Sequence, residues 1–290
     1  MNILFIGENP LQRVLYHQLQ PQKAFAIGSE KWPSPVTVGK LKFQEKRMIL
    51  NWMKLNKVSF ALPLCAEPIE VGLMDYLKLR RQRVFGPLQR LLTKWQDPRE
   101  YLSLISKFQL PLKEFYFFDQ VEKGMEFLRN IQKFPIYIKS WNPSRRVQVF
   151  SLQQAQEILQ KMLRPAKSAD TPPKWVSMEP PLPGPEIYLY VLADGKNLLP
   201  LDGVEVVKQD DQGFPFPYIQ VAKTPTPLLD EKVWKKLDKE ILLWLNHLFT
   251  ASRIQFRGLF EIQLKLTPKG PCILDIQFFS EPPAFLPLLT

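Results

Sequence analysis

Asp275 is a carboxylate inside the apolar, strand-like run "PCILDIQFF" near the end of the sequence. Burial of a carboxylate is costly unless the group is paired or holds a cation. Two interpretations follow: alternation along a strand turns Asp275 to a hydrated face, or Asp275 is a metal ligand in an active site. The second interpretation requires that other segments of the chain supply the remaining parts of a site.

The composition is that of a globular protein. The chain has 290 residues, of which 45% are hydrophobic and 23% charged, which is enough for one large domain or two to three smaller ones. No run approaches the roughly 18–20 apolar residues of a membrane span. The start, "MNILFIGENP", lacks the features of a signal peptide. We therefore expect a cytoplasmic protein without membrane association.

The cysteines and histidines give little support to a zinc site. Cys65 and Cys272 both lie in apolar runs and are expected to be reduced core thiols. The chain has two histidines and no CxxC motif, so tetrahedral zinc ligation has few candidate ligands.

The net charge favours anionic partners. Lys and Arg number 39 and Asp and Glu 28, which gives a formal charge of +11. Nucleotides, phosphorylated metabolites, nucleic acid and anionic lipid are the classes that such a charge attracts. The densest basic cluster is "KLRRQR", residues 78–83, at the end of a helix-like segment. Cations stabilise a helix C-terminus, so a structural role explains this cluster.

The first 87 residues alternate between strands and helices. Strands are predicted at "NILFIG", "AFAIG", "VSFALPL" and "RVFG", with amphipathic helices between them. Such alternation predicts a parallel, doubly wound sheet. Function is expected at the carboxyl ends of its strands.

The pattern changes after Pro87. Two helices lead to a compact unit in which a helix (120–132), the strand "FPIYIKS", the strand "VQVF" and a helix capped by Ser151 follow one another. The remainder is rich in strands, with one long helix (231–249) before a hairpin whose turn is Pro268-Lys269-Gly270. We expect a mixed sheet from residue 183 onward.

Five stretches of the chain form a recognisable series: "MNILFIG", "AEPIEVGLMDYL" with "VFGP", "FPIYIKS", "LPGPEIYLYVLADGKNLLPL" and "FRGLFEIQLKLTPKGPCILDIQ". In this order they resemble the ATP-grasp enzymes, and more narrowly the phosphoribosylamine–glycine ligase family. The resemblance implies an α/β and α+β protein divided into an N-terminal Rossmann-like domain preceding the ATP-grasp domain, connecting helices, a small lid subdomain and a core subdomain. These parts are expected at residues 1–87, 88–118, 119–182 and 183–290.

The resemblance also implies a nucleotide site. Lys139 stands where the lid lysine of the family reaches the phosphates of ATP, as a point charge on a flexible stem. Arg145 and Arg146 follow in the lid and could hold phosphate by side chain. Glu179 matches the hinge beside the adenine, and Glu186 matches a carboxylate that accepts hydrogen bonds from the ribose hydroxyls. By themselves, Lys139 and Glu186 could equally be solvated residues at strand ends.

Metal and substrate positions follow in the same way. Asp275 and Gln277 stand where the family has a glutamate and an asparagine that bind Mg²⁺, and their i, i+2 spacing places both side chains on one face of a strand. For the second substrate the resemblance implies Gly7, Glu67 and Gly213. ATP and Mg²⁺ are the implied cofactors.

Several departures from the family pattern weaken the implied activity. The turn after the first strand keeps only Gly7, and the lid loop "SWNPSRRV" has no glycine whose N–H groups could cradle phosphate. Phe279 replaces an arginine, so we expect a weak dependence on magnesium. The family continues beyond the matched region into a further domain, which we expect to be missing here.

Two functions therefore remain open. One is an ATP-dependent carboxylate–amine ligase that acts through an acylphosphate, and the other is an inactive pseudoenzyme that serves as a nucleotide-binding or scaffold module. The expected partners are a nucleotide or phosphorylated small molecule and a protein that supplies the missing domain. Nucleic-acid binding is a third and weaker hypothesis, because the sequence has no clear binding strand with interleaved basic and aromatic residues.

Overall fold

The structure is a computed structural model of the chain. It describes residues 1–8, 12–28, 32, 35–107, 110–141, 144–163, 175–209, 218–251 and 256–278. Within these ranges, no helix combines the length and the apolar character that a membrane crossing requires.

The N-terminal sheet is wholly parallel. Its strands are β1 (Asn2–Ile6), β2 (Lys23–Ile27), β3 (Thr37–Gly39) and β4 (Phe60–Pro63), in the order β3-β2-β1-β4. Alternate residues of β1 enter two different cores, because successive side chains point to opposite faces. Leu4 packs in one core and Phe5 in the other. The sheet is therefore covered on both faces, as in doubly wound α/β proteins.

The helices around this sheet are short. They are α1 (Gln12–Leu19), α2 (Lys46–Leu55), α3 (Glu67–Glu70) and α4 (Leu73–Leu79), followed by the connecting helices α5 (Gln89–Gln96) and α6 (Pro98–Ser106).

A second sheet, the lid sheet, is antiparallel. Its strands are β5 (Tyr116–Phe118), β6 (Ile136–Trp141), β7 (Ser144–Val149) and β8 (Val176–Glu179), in the order β5-β8-β6-β7. Helices α7 (Val121–Arg129) and α8 (Leu152–Met162) cover its apolar face. Ser151 caps α8, since its Oγ accepts a hydrogen bond of 3.2 Å from the N–H of Gln154.

A third sheet, the core sheet, has five strands. They are β9 (Glu186–Asp194), β10 (Leu198–Gln209), β11 (Tyr218–Lys223), β12 (Arg257–Thr267) and β13 (Gly270–Gln277), in the order β11-β10-β9-β12-β13. A continuous helical segment packs on its apolar face and consists of α9 (Glu231–Leu237), a π-helical turn (Asp238–Leu242) and α10 (Leu243–Ala251). Among the described residues, this face forms the largest core.

The fold class is confirmed, and three details differ from the expectations. All strand pairs of the core sheet are antiparallel, so the expected mixed sheet is wrong. The segment "RVFG" makes only isolated bridges, because Val84 pairs with Ala61 whereas Gly86 turns to pair with Arg257 of the core sheet. The N-terminal sheet instead gains β3, a short strand that the sequence pattern did not indicate.

Candidate functional site

Two polar sheet faces carry the candidate residues. On the lid sheet, Lys139 lies opposite Ser177 and Arg146, and Glu179 lies opposite Tyr137. On the core sheet, the face turned away from the main core bears a set of polar residues at alternating positions: Glu186, Tyr188, Tyr190, Glu261, Gln263, Lys265, Asp275 and Gln277. Period-2 alternation produces both faces, since each strand buries every second residue in a core.

An ion pair joins the two polar faces. Lys139 Nζ lies 2.7 Å from Asp275 Oδ2, and only 4% of Lys139 and 8% of Asp275 are exposed. The ammonium of Lys139 also lies 4.3 Å from the centre of the Trp141 ring, a cation–π distance. The interpretation that Asp275 faces water is therefore wrong, and so is the reading of Lys139 as a solvated strand-end lysine.

Asp275 has further hydrogen-bond donors. Gln277 Nε2 donates to its Oδ2 at 3.2 Å, and the N–H of Ile276 donates to its Oδ1 at 3.0 Å. Burial raises the pKa of Asp275, but the charge of Lys139 and the hydrogen bonds from Lys139 and Gln277 outweigh it, so the pKa lies below its usual value. The buried carboxylate is therefore charged at neutral pH.

Glu179 is the centre of a second buried charge cluster. Lys113 Nζ and Arg146 Nε, the latter at 3.1 Å, both contact its Oε2, and Ser177 Oγ donates to its Oε1 at 3.3 Å. Burial raises the pKa of Glu179, whereas Lys113, Arg146 and Lys139 lower it to below its usual value. Burial also lowers the pKa of Lys113 to about 8, against the opposing charge of Glu179.

Glu186 occupies the other end of the polar face of the core sheet. Its Oε2 lies 3.6 Å from Lys265 Nζ, and the residue is buried, so the reading of Glu186 as a surface residue is wrong. The loop before it depends on Gly184, where φ is +112° and a Cβ would lie 2.1 Å from the carbonyl oxygen of Leu266. Only glycine fits this approach.

Glu186 and Asp275 lie on the polar face of the core sheet, and Lys139 of the lid sheet contacts Asp275. The region where these two polar faces meet is called the cleft below. Glu186 and Asp275 are separated by one strand, and their partners on β12 differ by two positions. With strands about 4.8 Å apart and a rise of about 3.3 Å per residue, their Cα atoms are about 12 Å apart on the same face. The roles of these residues in nucleotide and metal binding remain predictions.

Sequence reasoning missed two buried members of the cleft. Lys113 has no strand pattern that marks it, because it lies in an extended connection beside β13, where Leu112 pairs with Ile273. Glu261 is 1% exposed and accepts a 2.7 Å hydrogen bond from the hydroxyl of Tyr190. The alternation of "FEIQLKL" at 260–266 contained the signal for Glu261.

The remaining candidates fall into two groups. Gly7 and Glu67 lie at the carboxyl edge of the N-terminal sheet near Cys65, and not within the ion-pair clusters. A Cβ on Gly7, whose φ is +96°, would lie 2.4 Å from the Cys65 Sγ. Gly213 and Phe279 lie outside the described residues, and so does the side chain of Arg145, whose backbone pairs with Ser140.

The residues of the cleft fit the implied cofactors in part. Mg²⁺ is commonly held by one or two carboxylates together with water and substrate phosphates. Asp275 and Glu261 supply two carboxylates on one face, where Gln277 lies directly opposite Glu261 and two residues after Asp275. Within the described ranges, no group of three or more His, Cys, Asp or Glu side chains could hold a metal by itself. A Mg²⁺ ion here would therefore need phosphate and water ligands.

A parallel N-terminal sheet, followed by two antiparallel sheets with opposed, charged faces, is the architecture of an ATP-grasp protein. The match to the family described as phosphoribosylglycinamide synthetase, ATP-grasp (A) domain, covers residues 101–283. The chain belongs to this family.

Curated relatives agree with this assignment. The phosphoribosylamine–glycine ligase of Caldanaerobacter subterraneus is 23% identical over 309 aligned positions, which cover 100% of this chain and 72% of the relative. The enzyme of the same name from Rhodopirellula baltica is 24% identical over 251 aligned positions, which cover 83% of this chain and 57% of the relative. The chain thus spans between about half and three quarters of the length of these relatives.

Solved structures share the fold. Phosphoribosylamine–glycine ligase from Thermotoga maritima superposes with a TM-score of 0.73 at 14% identity, over 98% of this chain and 70% of that one. An L-amino acid ligase from Bacillus licheniformis gives 0.71 at 15% identity, over 99% and 68%.

Proposed function

We propose that this chain binds ATP between the lid sheet and the core sheet and uses it to join a carboxylate to an amine. The observation that carries the proposal is the buried contact of Lys139 with Asp275, because it brings a lid cation and a core carboxylate to one point. Membership of the phosphoribosylglycinamide synthetase family and the names of the relatives support the reaction class.

Phosphate binding requires an exchange of partners. Lys139 and Arg146 are the proposed phosphate ligands, and both are engaged by carboxylates, Asp275 and Glu179. A triphosphate would replace Asp275 as the partner of Lys139, and Asp275 would then be available to a cation. Glu179 keeps Lys113 as its counter-ion during this exchange, so no buried charge is left alone.

The other roles follow from position. Glu186, at the start of β9, is the proposed acceptor for the ribose hydroxyls. Asp275 and Gln277 are the proposed magnesium ligands, and we propose Glu261, on the same face of the core sheet, as a third. Magnesium would neutralise charge on the phosphates and hold them in place.

The proposed reaction has two steps. A carboxylate oxygen of the substrate takes the γ-phosphoryl group of ATP, which leaves as ADP. The amine nitrogen then attacks the acylphosphate carbon, inorganic phosphate departs, and the nitrogen loses a proton to give an amide. The residues of the cleft act by positioning and charge, which is how most catalysis of phosphoryl transfer is achieved.

ATP titration by calorimetry, with and without Mg²⁺, tests the proposal. We expect the wild-type protein to bind ATP, Lys139→Met to lose about tenfold or more in affinity, and Asp275→Asn to lose only the part that depends on magnesium. Asp202→Asn, an exposed carboxylate in β10, is the control and should bind as the wild type does. A wild-type protein that binds no ATP, or a Lys139→Met variant of unchanged affinity, would contradict the proposal.

A nucleotide-binding or scaffold module without turnover is the second candidate. The observation that favours it is the mutual neutralisation of the cleft charges, with Lys139 paired to Asp275 and both Lys113 and Arg146 paired to Glu179. ATP binding without release of ADP, across carboxylic acids and amines tested in pairs, would support this candidate over the ligase.

A further inference from the structure

A second cleft lies where the N-terminal sheet meets the core sheet. Its volume is about 670 Å³, and residues 81–86 form one wall while the β9–β10 hairpin and Arg257 form the other. The N–H of Gly86 donates a 2.6 Å hydrogen bond to the carbonyl oxygen of Arg257 and so joins the two walls. A cleft of this size at the junction of two units is in the range of small-molecule sites.

The cleft is basic. Four cations line it, namely Lys78, Arg81, Arg83 and Arg257, against one carboxylate, Asp194. In the part of the chain that the structure describes, Lys78, Arg81 and Arg83 form no salt bridge. Asp194 accepts hydrogen bonds from the backbone of Asn197 and Lys196, which hold its pKa at about 2, so its charge is engaged by its own turn.

The cleft also has an aromatic and aliphatic wall. Phe60 and Phe85 both line it, with ring centres 5.9 Å apart. Leu199, on the opposite wall, is 61% exposed. Apolar walls with a few converging charges are typical of a site for a small molecule that has a ring and an anionic group.

Arg81 has a left-handed backbone conformation at the end of a helix, where glycine is the usual residue. It follows α4 at the position where the chain enters the left-handed region, with φ at +61°, and the bonds Arg81 N–H to Lys78 O and Gln82 N–H to Leu77 O close the helix. Glycine is the favoured residue at this position of such a closure. A strained non-glycine residue at a cleft is a reason to look for a function.

Lys57 provides a matched comparison. It follows α2 at the equivalent position, with φ at +52° and the same two closing bonds, Lys57 N–H to Lys54 O and Val58 N–H to Met53 O. Lys57 is exposed and does not line the basic cleft. The two residues thus share charge and backbone strain and differ in location.

We propose that this basic cleft binds a small anion that carries an aromatic ring, with Arg81 and Arg83 as ligands of the anion and Phe60 and Phe85 in contact with the ring. The site is separate from the cleft of Lys139 and Asp275, and the proposal does not depend on the proposed function. A nucleic-acid strand fits less well, because its successive phosphates need a continuous basic track, whereas these cations line a single cleft.

Phenyl phosphate is the probe, since it has the ring and the anion but no ribose or adenine for the proposed ATP site. Calorimetric titration compares it with inorganic phosphate, which lacks the ring, and with phenol, which lacks the anion. We expect phenyl phosphate to bind more tightly than either. Arg81→Gly should lower the affinity for phenyl phosphate by about tenfold, and Lys57→Gly should leave this affinity unchanged. Both variants should melt at or above the wild-type temperature, because glycine relieves the same backbone strain.

Several results would overturn the proposal. One is that phenyl phosphate fails to bind, and another is that it binds no more tightly than inorganic phosphate. A third is that Arg81→Gly and Lys57→Gly lower the affinity for phenyl phosphate equally, which would indicate general electrostatics. Arg83→Gln is the second variant if Arg81→Gly does not fold, and unchanged affinity in it would count against the site. Binding of a single-stranded oligonucleotide that Arg81→Gly abolishes, without binding of phenyl phosphate, would replace the proposal with a nucleic-acid surface. ATP affinity, measured in the same variants, should be unchanged.

Discussion

The ion pair between Lys139 and Asp275 leads to a quantitative prediction for a double-mutant cycle. The variants are Lys139→Met, which keeps the length of the side chain, Asp275→Asn, which keeps its shape, and the combination of the two. Both side chains are nearly inaccessible, and the nitrogen–oxygen distance is 2.7 Å. Each single variant leaves one charge buried, whereas the double variant leaves none.

The magnitudes follow from this geometry. Two unit charges 2.7 Å apart attract by about 6 kcal/mol at an effective dielectric constant of about 20, and desolvation of the two ions offsets much of this. Loss of one partner should cost about 3–5 kcal/mol of the free energy of unfolding in Lys139→Met. Asp275→Asn should cost about 2–4 kcal/mol, because the Trp141 ring still faces the ammonium of Lys139. We expect the double variant to be more stable than the summed effects of the two single variants predict, with a coupling energy of about 2–3 kcal/mol.

Urea unfolding followed by far-UV circular dichroism measures all four proteins. The pair Lys235 and Glu231, which is 2.6 Å apart but mostly exposed on α9, provides the control cycle. Its coupling energy should be close to zero, because solvent screens the charges and the ordered side chains lose entropy. Additive effects of Lys139→Met and Asp275→Asn, or equal coupling in the buried and the exposed cycles, would refute the reasoning that burial couples Lys139 to Asp275.

Two further predictions concern stability. The folded-state pKa values of Asp275 and Glu179 are lowered from the usual 3.8 and 4.5, so the unfolded chain binds more protons in acid, and the free energy of unfolding should fall as the pH drops from about 5 through these values. Urea unfolding at pH 6 and pH 3 checks this, and the fall should be smaller in Glu179→Gln; a flat profile would contradict it. At the helix starts, Ser151→Ala and Asp230→Ala each remove a cap whose oxygen accepts a backbone N–H, from Gln154 at 3.2 Å and Val233 at 2.8 Å, and each should cost about 1 kcal/mol. Thermal melting measures both, and Asp202→Asn should be neutral.

The sequence determined much of the local structure. The alternation of strands and helices before residue 87 predicted the parallel sheet, Ser151 predicted the start of a helix, and Pro268-Lys269-Gly270 predicted the turn between β12 and β13. Spacing alone placed Asp275 and Gln277 on one face of a strand. These predictions succeed because short-range backbone geometry and side-chain periodicity decide them.

Only the tertiary structure decided what these side chains meet. The sequence left Asp275 between water and a metal, and the fold placed it against Lys139, 136 positions earlier in the chain. Lys113 carries no periodic signal, and its place beside Glu179 follows from the connection that runs along β13. The antiparallel order of the core sheet likewise depends on which strands pair. Pairing and burial of charges are settled by contacts between distant segments, because the cost of desolvating a charge is met only where the fold supplies its partner.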